Sequence, residues 1–197
     1  MASRTASTTL RVVTNAQPPV IPSAALGMLL FLFTEVMLFA GMISSHNIAR
    51  SQSLLGWPPP GQPRLPVDET AFNTAALLLS GALLIWAQRV FRNNRRAAKP
   101  WLMASIALGA FFVAFQGVEW VGLIREGLTL TSSTHGGFFY LIIGMHGLHA
   151  IAALGVLGMS WARLRRGMLA QSTFAAAQAF WYFVVGVWPI LYWQIYW

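Results

Sequence analysis

The sequence predicts an all-α integral membrane protein, a bundle of five membrane-spanning helices with its N-terminus cytoplasmic and its C-terminus outside. Three observations carry this. Hydrophobic residues make up 56% of the chain and charged residues 9%, against about 25% charged in an ordinary soluble domain. Five apolar runs each approach the ~20 residues that a helix needs to cross hydrocarbon. The basic residues gather in alternate connections between those runs, as the positive-inside rule requires. A mean hydropathy of +0.58 with only five acidic residues leaves too little charge to cover a water-facing surface, so a soluble globule is excluded.

The chain divides into a cytoplasmic tail, residues 1–23, and a membrane domain, residues 24–197. The apolar runs lie at about 24–45, 71–91, 101–124, 135–161 and 174–197, and none alternates with the two-residue period of a barrel strand. Pro18, Pro19 and Pro22 punctuate the entry to the first run. The first connection is stiffened by Trp57-Pro58-Pro59-Pro60-Gly61, Pro63 and Pro66. The second, Arg92 to Pro100, is short, which makes helices two and three antiparallel neighbours. Pro189 predicts a kink or a freed carbonyl in the last helix. Ten basic residues fall in the tail and in connections two and four, and three (Arg50, Arg64 and Arg125) on the other side. That asymmetry sets the orientation and places Trp193, Tyr196 and Trp197 in the outer aromatic belt.

The charge of +8 reads as a topology signal, since no motif for reading nucleic acid accompanies it. The absence of cysteine excludes disulfides, iron-sulfur clusters, thiolate copper sites and a cysteine nucleophile.

Ionisable groups deep in a span are expensive and mark a functional or pairing site. Glu35 is eleven residues beyond Ala24, about 16 Å from the inner side at 1.5 Å per residue. His149 lies about 18 Å and His146 about 22 Å from that side, on one helix face. Depth therefore pairs Glu35 best with His149 and next with His146. Glu119, about 27 Å in, sits near the outer edge with Gln116 one turn before it. The residues alone leave three readings open: a structural carboxylate-histidine pair, a transport or proton pathway using Glu35, and a metal or haem site. Gly144, Gly147 and Gly155 are expected to admit a neighbouring helix. Gly41, Gly109 and Gly144 are expected to leave recesses for acyl chains, while Arg89, Arg92, Arg95 and Arg96 are placed to meet lipid phosphates.

Five motifs then coincide in order: Phe33-Thr34-Glu35-Val36-Met37-Leu38-Phe39-Ala40-Gly41; the Trp-Pro-Pro loop; Asn73-Thr74 leading to Leu77-Leu78-Leu79-Ser80; Phe115-Gln116-Gly117-Val118-Glu119-Trp120; and Gly144-Met145-His146-Gly147-Leu148-His149-Ala150. Together they resemble subunit III of haem-copper oxidases of the cytochrome c oxidase type, over nearly the whole chain from about residue 24. The length resembles the short bacterial forms that lack the leading helix pair of longer members. One departure stands out. The family's last helix reads Trp-His-Phe-Val-Asp, where this chain has Trp181-Tyr182-Phe183-Val184-Val185, which leaves room for the relative found beside nitric oxide reductases.

The resemblance implies an accessory subunit without catalytic residues, metal or cofactor of its own. Haem and copper are expected in its partners: subunit I, other oxidase subunits and a wider respiratory supercomplex. Bound phospholipid, no nucleic acid, and a place in the bacterial inner (plasma) membrane are also implied, with support of proton uptake and sustained turnover. Four histidines are too few for the haem-bearing subunit of that family. The reading from another class is a small transporter or channel gated by Glu35.

Overall fold

The computed structural model describes residues 23–54 and 56–197. Five helices follow one another: α1 Ser23–Ser51, α2 Val67–Asn93, α3 Ala98–Arg125, α4 Thr134–Arg165 and α5 Gln171–Tyr196. No strand occurs among the described residues, and all five helices are long and apolar enough to cross a membrane. The expected tail lies outside the described residues up to its last position.

Each helix outruns the apolar run that announced it. α1 continues through His46, Asn47 and Arg50, and α4 continues through Arg163 and Arg165. Backbone hydrogen bonds keep a helix going into the polar membrane boundary, where side chains no longer need to be apolar. The ends have local causes. Pro66 precedes α2, and Asp68 and Glu69 occupy its first turn, where carboxylates complement the helix dipole. The Ser133 side chain caps α4 by accepting from the Gly136 amide at 3.0 Å. α3 and α4 both close with a glycine at positive φ, Gly127 at 94° and Gly167 at 74°. The next residues, Leu128 and Met168, donate back to the carbonyls of Leu123 and Arg163 at 2.9 Å, completing paired C-terminal motifs. α5 runs on through Pro189 without a break in helix.

Helices α2, α3, α4 and α5 form a closed ring of neighbours in that order, α5 returning to α2, while α1 lies outside it against α5 and α4. The connections α2–α3 and α4–α5 share one end of the ring, called here the basic end. The core is filled by aromatic rings from α5. Trp181 and Trp188 are fully buried. The Trp181 indole donates to Ser80 Oγ at 3.1 Å. Ser80 and Ser105 each donate to the other's backbone carbonyl, at 2.8 and 2.9 Å, tying α2 to α3. In hydrocarbon, where water cannot compete, such matched hydroxyls join helices that have no hydrophobic reason to associate.

α1 meets the ring along a seam of residues 28, 32, 35, 39, 42 and 46, alternately four and three apart, which is one face of a helix. Met28, Leu32 and Met42 pack on the core, and Phe39 and His46 are buried. The other face is open, with Leu30, Phe33 and Met37 each 61–65% exposed.

Candidate functional site

The α1 seam carries a carboxylate at its centre. Glu35 Oε2 lies 2.9 Å from Nε2 of His149, with both side chains largely enclosed, at 15% and 12% exposure. The other ring nitrogen, Nδ1, is 2.7 Å from the carbonyl of Met145, one turn earlier in α4. Since a carbonyl only accepts, Nδ1 carries a proton. The contact across to Glu35 then holds one further proton, as a carboxylic acid donating to a neutral imidazole or as an imidazolium donating to a carboxylate. Phe39, one turn beyond Glu35, meets the His149 ring edge-on at 5.5 Å, and Phe180 and Phe183 stand at 6.3 and 6.4 Å. The pair thus sits in an aromatic enclosure drawn from α1 and α5.

His146 turns away from Glu35 into the ring of helices. It is 1% exposed, its ring lies 5.0 Å from that of Trp188, and Phe39 and Phe112 meet it edge-on. Neither of its nitrogens has a hydrogen-bond partner. Trp188 itself donates to Thr74 Oγ1 of α2 at 2.8 Å, so this indole touches α2, α3 and α4 together. The two histidines that share a helix face therefore serve different surroundings. No group of three or more His, Asp or Glu side chains able to hold a metal occurs among the described residues.

Glu119 belongs to a second polar cluster toward the opposite end. Gln116 Nε2 donates to Glu119 Oε2 at 2.8 Å and faces Tyr196 Oη at 3.3 Å. Thr70 Oγ1 lies 3.1 and 3.2 Å from the two carboxylate oxygens and 2.7 Å from the Pro66 carbonyl. This corrects the expectation that Tyr196 lies in an interfacial belt. It is 8% exposed and closes the cluster, whereas Trp193 and Trp197 stack on each other, each about two-thirds exposed. Residues 181, 184, 188, 191 and 195 of α5 are all buried, and Tyr196 continues that inward stripe. Its period was the available signal.

His46 and His135, far apart in sequence, both face Trp57 of the first connection, at 5.3 and 5.1 Å between ring centres. The sequence gave no sign of this arrangement, which fastens the connection over the ends of α1 and α4.

The glycines also depart from expectation. Gly109 offers no recess, because a Cβ there would stand 2.6 Å from the Trp181 indole. Gly144 and Gly147 admit no helix. Both look onto the Trp120 ring, at 3.9 and 3.5 Å from an added Cβ, and nothing lies within 4 Å at Gly155. The α3–α4 seam opens instead into an apolar groove of about 550 Å³, where Phe112, Val113, Gly144, Gly147, Leu148 and Ile151 form part of the wall. Gly41 is open, with nothing within 4 Å. All four arginines of the second connection are exposed, and two of them, Arg95 and Arg96, line a recess at the basic end. At the departures in α5, Val185 fills the space above Gly81, 3.0 Å from an added Cβ, and the Tyr182 hydroxyl has no hydrogen-bond partner.

The family model for cytochrome c oxidase subunit III matches residues 7–197. Cytochrome c oxidase subunit 3 of Scyliorhinus canicula is 35% identical over 192 residues, covering 91% of this chain and 71% of that protein. The subunits 3 of Homo sapiens and Danio rerio are each 34% identical, over 191 and 192 residues, with the same coverage. This chain is a multi-pass membrane protein that belongs to the cytochrome c oxidase subunit III family, and so an accessory subunit within a multi-subunit haem-copper oxidase.

Proposed function

We propose that this chain packs beside a haem- and copper-bearing subunit I, carries no redox group itself, and sustains turnover by stabilising that subunit and holding lipid. Its place is the bacterial inner membrane, within an assembly that includes other oxidase subunits, with the basic end cytoplasmic. The observation that supports it best is the family match over nearly the whole chain, joined to an apolar surface larger than the bundle can cover for itself. The open face of α1 and the rings of Phe72, Phe111 and Phe115 on α2 and α3 are surfaces of the aromatic and aliphatic kind on which membrane subunits pack.

Lipid fits the two features that flank the ring. The groove between α3 and α4 has the size and apolar walls for acyl chains, within the roughly 300–1,000 Å³ of ordinary ligand sites. Arg89, Arg92, Arg95 and Arg96 stand where head groups would meet them. Glu35 and His149 join α1 to the ring at mid-span, and their part is to hold this helix in place during turnover.

The test is purification from native membranes through a tag on this chain. Haem-bearing partners with an oxidase absorption spectrum should accompany it, and the separated chain should retain neither haem nor copper. Recovery alone or as a homo-oligomer would favour the transporter reading, and stoichiometric haem on the separated chain would make it a cytochrome. A haem spectrum of nitric oxide reductase type would assign it to that complex instead.

A further inference from the structure

The basic end holds a feature that family membership does not explain. The α2–α3 and α4–α5 connections face one another across a recess of about 530 Å³ lined by Arg95, Arg96, Lys99, Arg165 and Arg166, with Leu164 and Leu169 behind them. The connections are built rather than loose. Asn94 Oδ1 accepts from the amides of Arg96 and Ala97, at 3.0 and 3.3 Å, and Gly167 at positive φ closes α4 on the other wall. Two of the cations are held in place. Arg95 donates to the Leu169 carbonyl at 3.0 Å and lies over the Phe91 ring at 5.1 Å. Arg165 lies over Trp161 at 4.8 Å. Both contacts leave guanidinium N–H groups free, since each fork has five donors.

Nothing in the chain neutralises this cluster. The five acids are Glu35, at mid-span, and Asp68, Glu69, Glu119 and Glu126, all four toward the opposite end on the first turn of α2 or the last turns of α3. Five like charges around one recess repel each other at short range. Loops that hold them together need an anion to offset that cost. Guanidinium forks pair with phosphate oxygens two at a time, and five cations on two walls exceed what a single phosphate engages.

We infer that this recess binds an anion bearing two phosphate groups, bridging the α2–α3 and α4–α5 connections. The shared chemistry has two sources at this position: a lipid head group with two phosphates, whose chains continue past Leu164 and Leu169, or a soluble diphosphate. The lipid source rests on the lipid-holding reading above, and the soluble source does not.

The experiment uses the purified oxidase complex, delipidated and placed in nanodiscs. Cardiolipin, phosphatidylglycerol and phosphatidylcholine are titrated by native mass spectrometry, and pyrophosphate by calorimetry. The double variant Arg96→Gln/Arg166→Gln removes one cation from each wall. Arg64→Gln/Arg125→Gln removes equal charge from the opposite end. Tighter binding of cardiolipin than of phosphatidylglycerol, weakened about tenfold or more in the recess variant and less than twofold in the other, assigns the recess to a lipid. Pyrophosphate binding with the same variant pattern assigns it to a soluble diphosphate. Equal affinity for one and two phosphates, or equal weakening in both variants, overturns the inference. If no phospholipid binds at all, the lipid-holding reading fails too, while the pyrophosphate arm still reports on the recess by itself.

Discussion

Replacing Gly109 by alanine tests the packing of the ring directly. The added Cβ would stand 2.6 Å from both Cζ2 and Cη2 of Trp181 and 2.8 Å from Cδ2 of Leu154, where carbon atoms prefer about 3.5–4.0 Å. Something must move by about 1 Å. Trp181 is fully buried, so it cannot swing into open space, and a shift of that size takes its N–H out of reach of Ser80. Overpacking costs about 1–3 kcal/mol and the lost hydrogen bond about 1 kcal/mol. Alanine returns about 0.5–1 kcal/mol through its better helix propensity. The net is about 2–3 kcal/mol, which at roughly 2–4 °C per kcal/mol for a chain of this size lowers the unfolding midpoint by roughly 4–12 °C. Gly41→Ala and Gly158→Ala, where nothing lies within 4 Å, should leave the midpoint unchanged or raise it slightly. Near-UV circular dichroism of the detergent-solubilised protein reads the transition through its nine tryptophans. Trp181→Phe, which removes the clashing ring atoms, should make the alanine at 109 better tolerated, giving a favourable coupling in the double-mutant cycle. If Gly109→Ala unfolds at the same temperature as Gly41→Ala, Trp181 does not lie over Gly109.

Three further outcomes are expected. Glu35→Ala should leave the initial oxidase rate near normal but shorten the time over which activity lasts, with about 1–3 kcal/mol lost as His149 is left without its partner; zero initial activity in a fully assembled complex would place Glu35 closer to the chemistry than proposed. Gln116→Leu removes the amide that donates to Glu119 and faces Tyr196, and should destabilise the protein by about 1–3 kcal/mol, with no change meaning that this cluster is not formed. An alkaline phosphatase fused after Trp197 should be active and a cytoplasmic reporter at the same point silent, and the reverse pattern would invert the proposed orientation.

Much of the architecture was written along the chain. Apolar runs of membrane length dictate five helices because no other open structure satisfies its backbone in hydrocarbon, and the short connection after α2 makes α3 its neighbour. α1 could be oriented as well. Glu35 and His46 lie on a seam with Met28, Leu32, Phe39 and Met42, and polar groups in an apolar helix show which side avoids lipid. The other faces carried no such mark. Lipid is as apolar as the protein core, so hydropathy does not distinguish an inward leucine from an outward one, and packing is chosen by shape and hydrogen bonding instead. For that reason only the tertiary structure decided that Trp181 covers Gly109, that Tyr196 turns inward to Gln116, and that the glycines of α4 face a groove instead of a helix. His46 and His135 meet at Trp57, and the cations of two connections gather around one recess, because closing the ring brings together ends that are 70 or more residues apart in the chain. A linear pattern reports the direction of a side chain about its own helix axis, and it holds no information on which other helix that direction will meet.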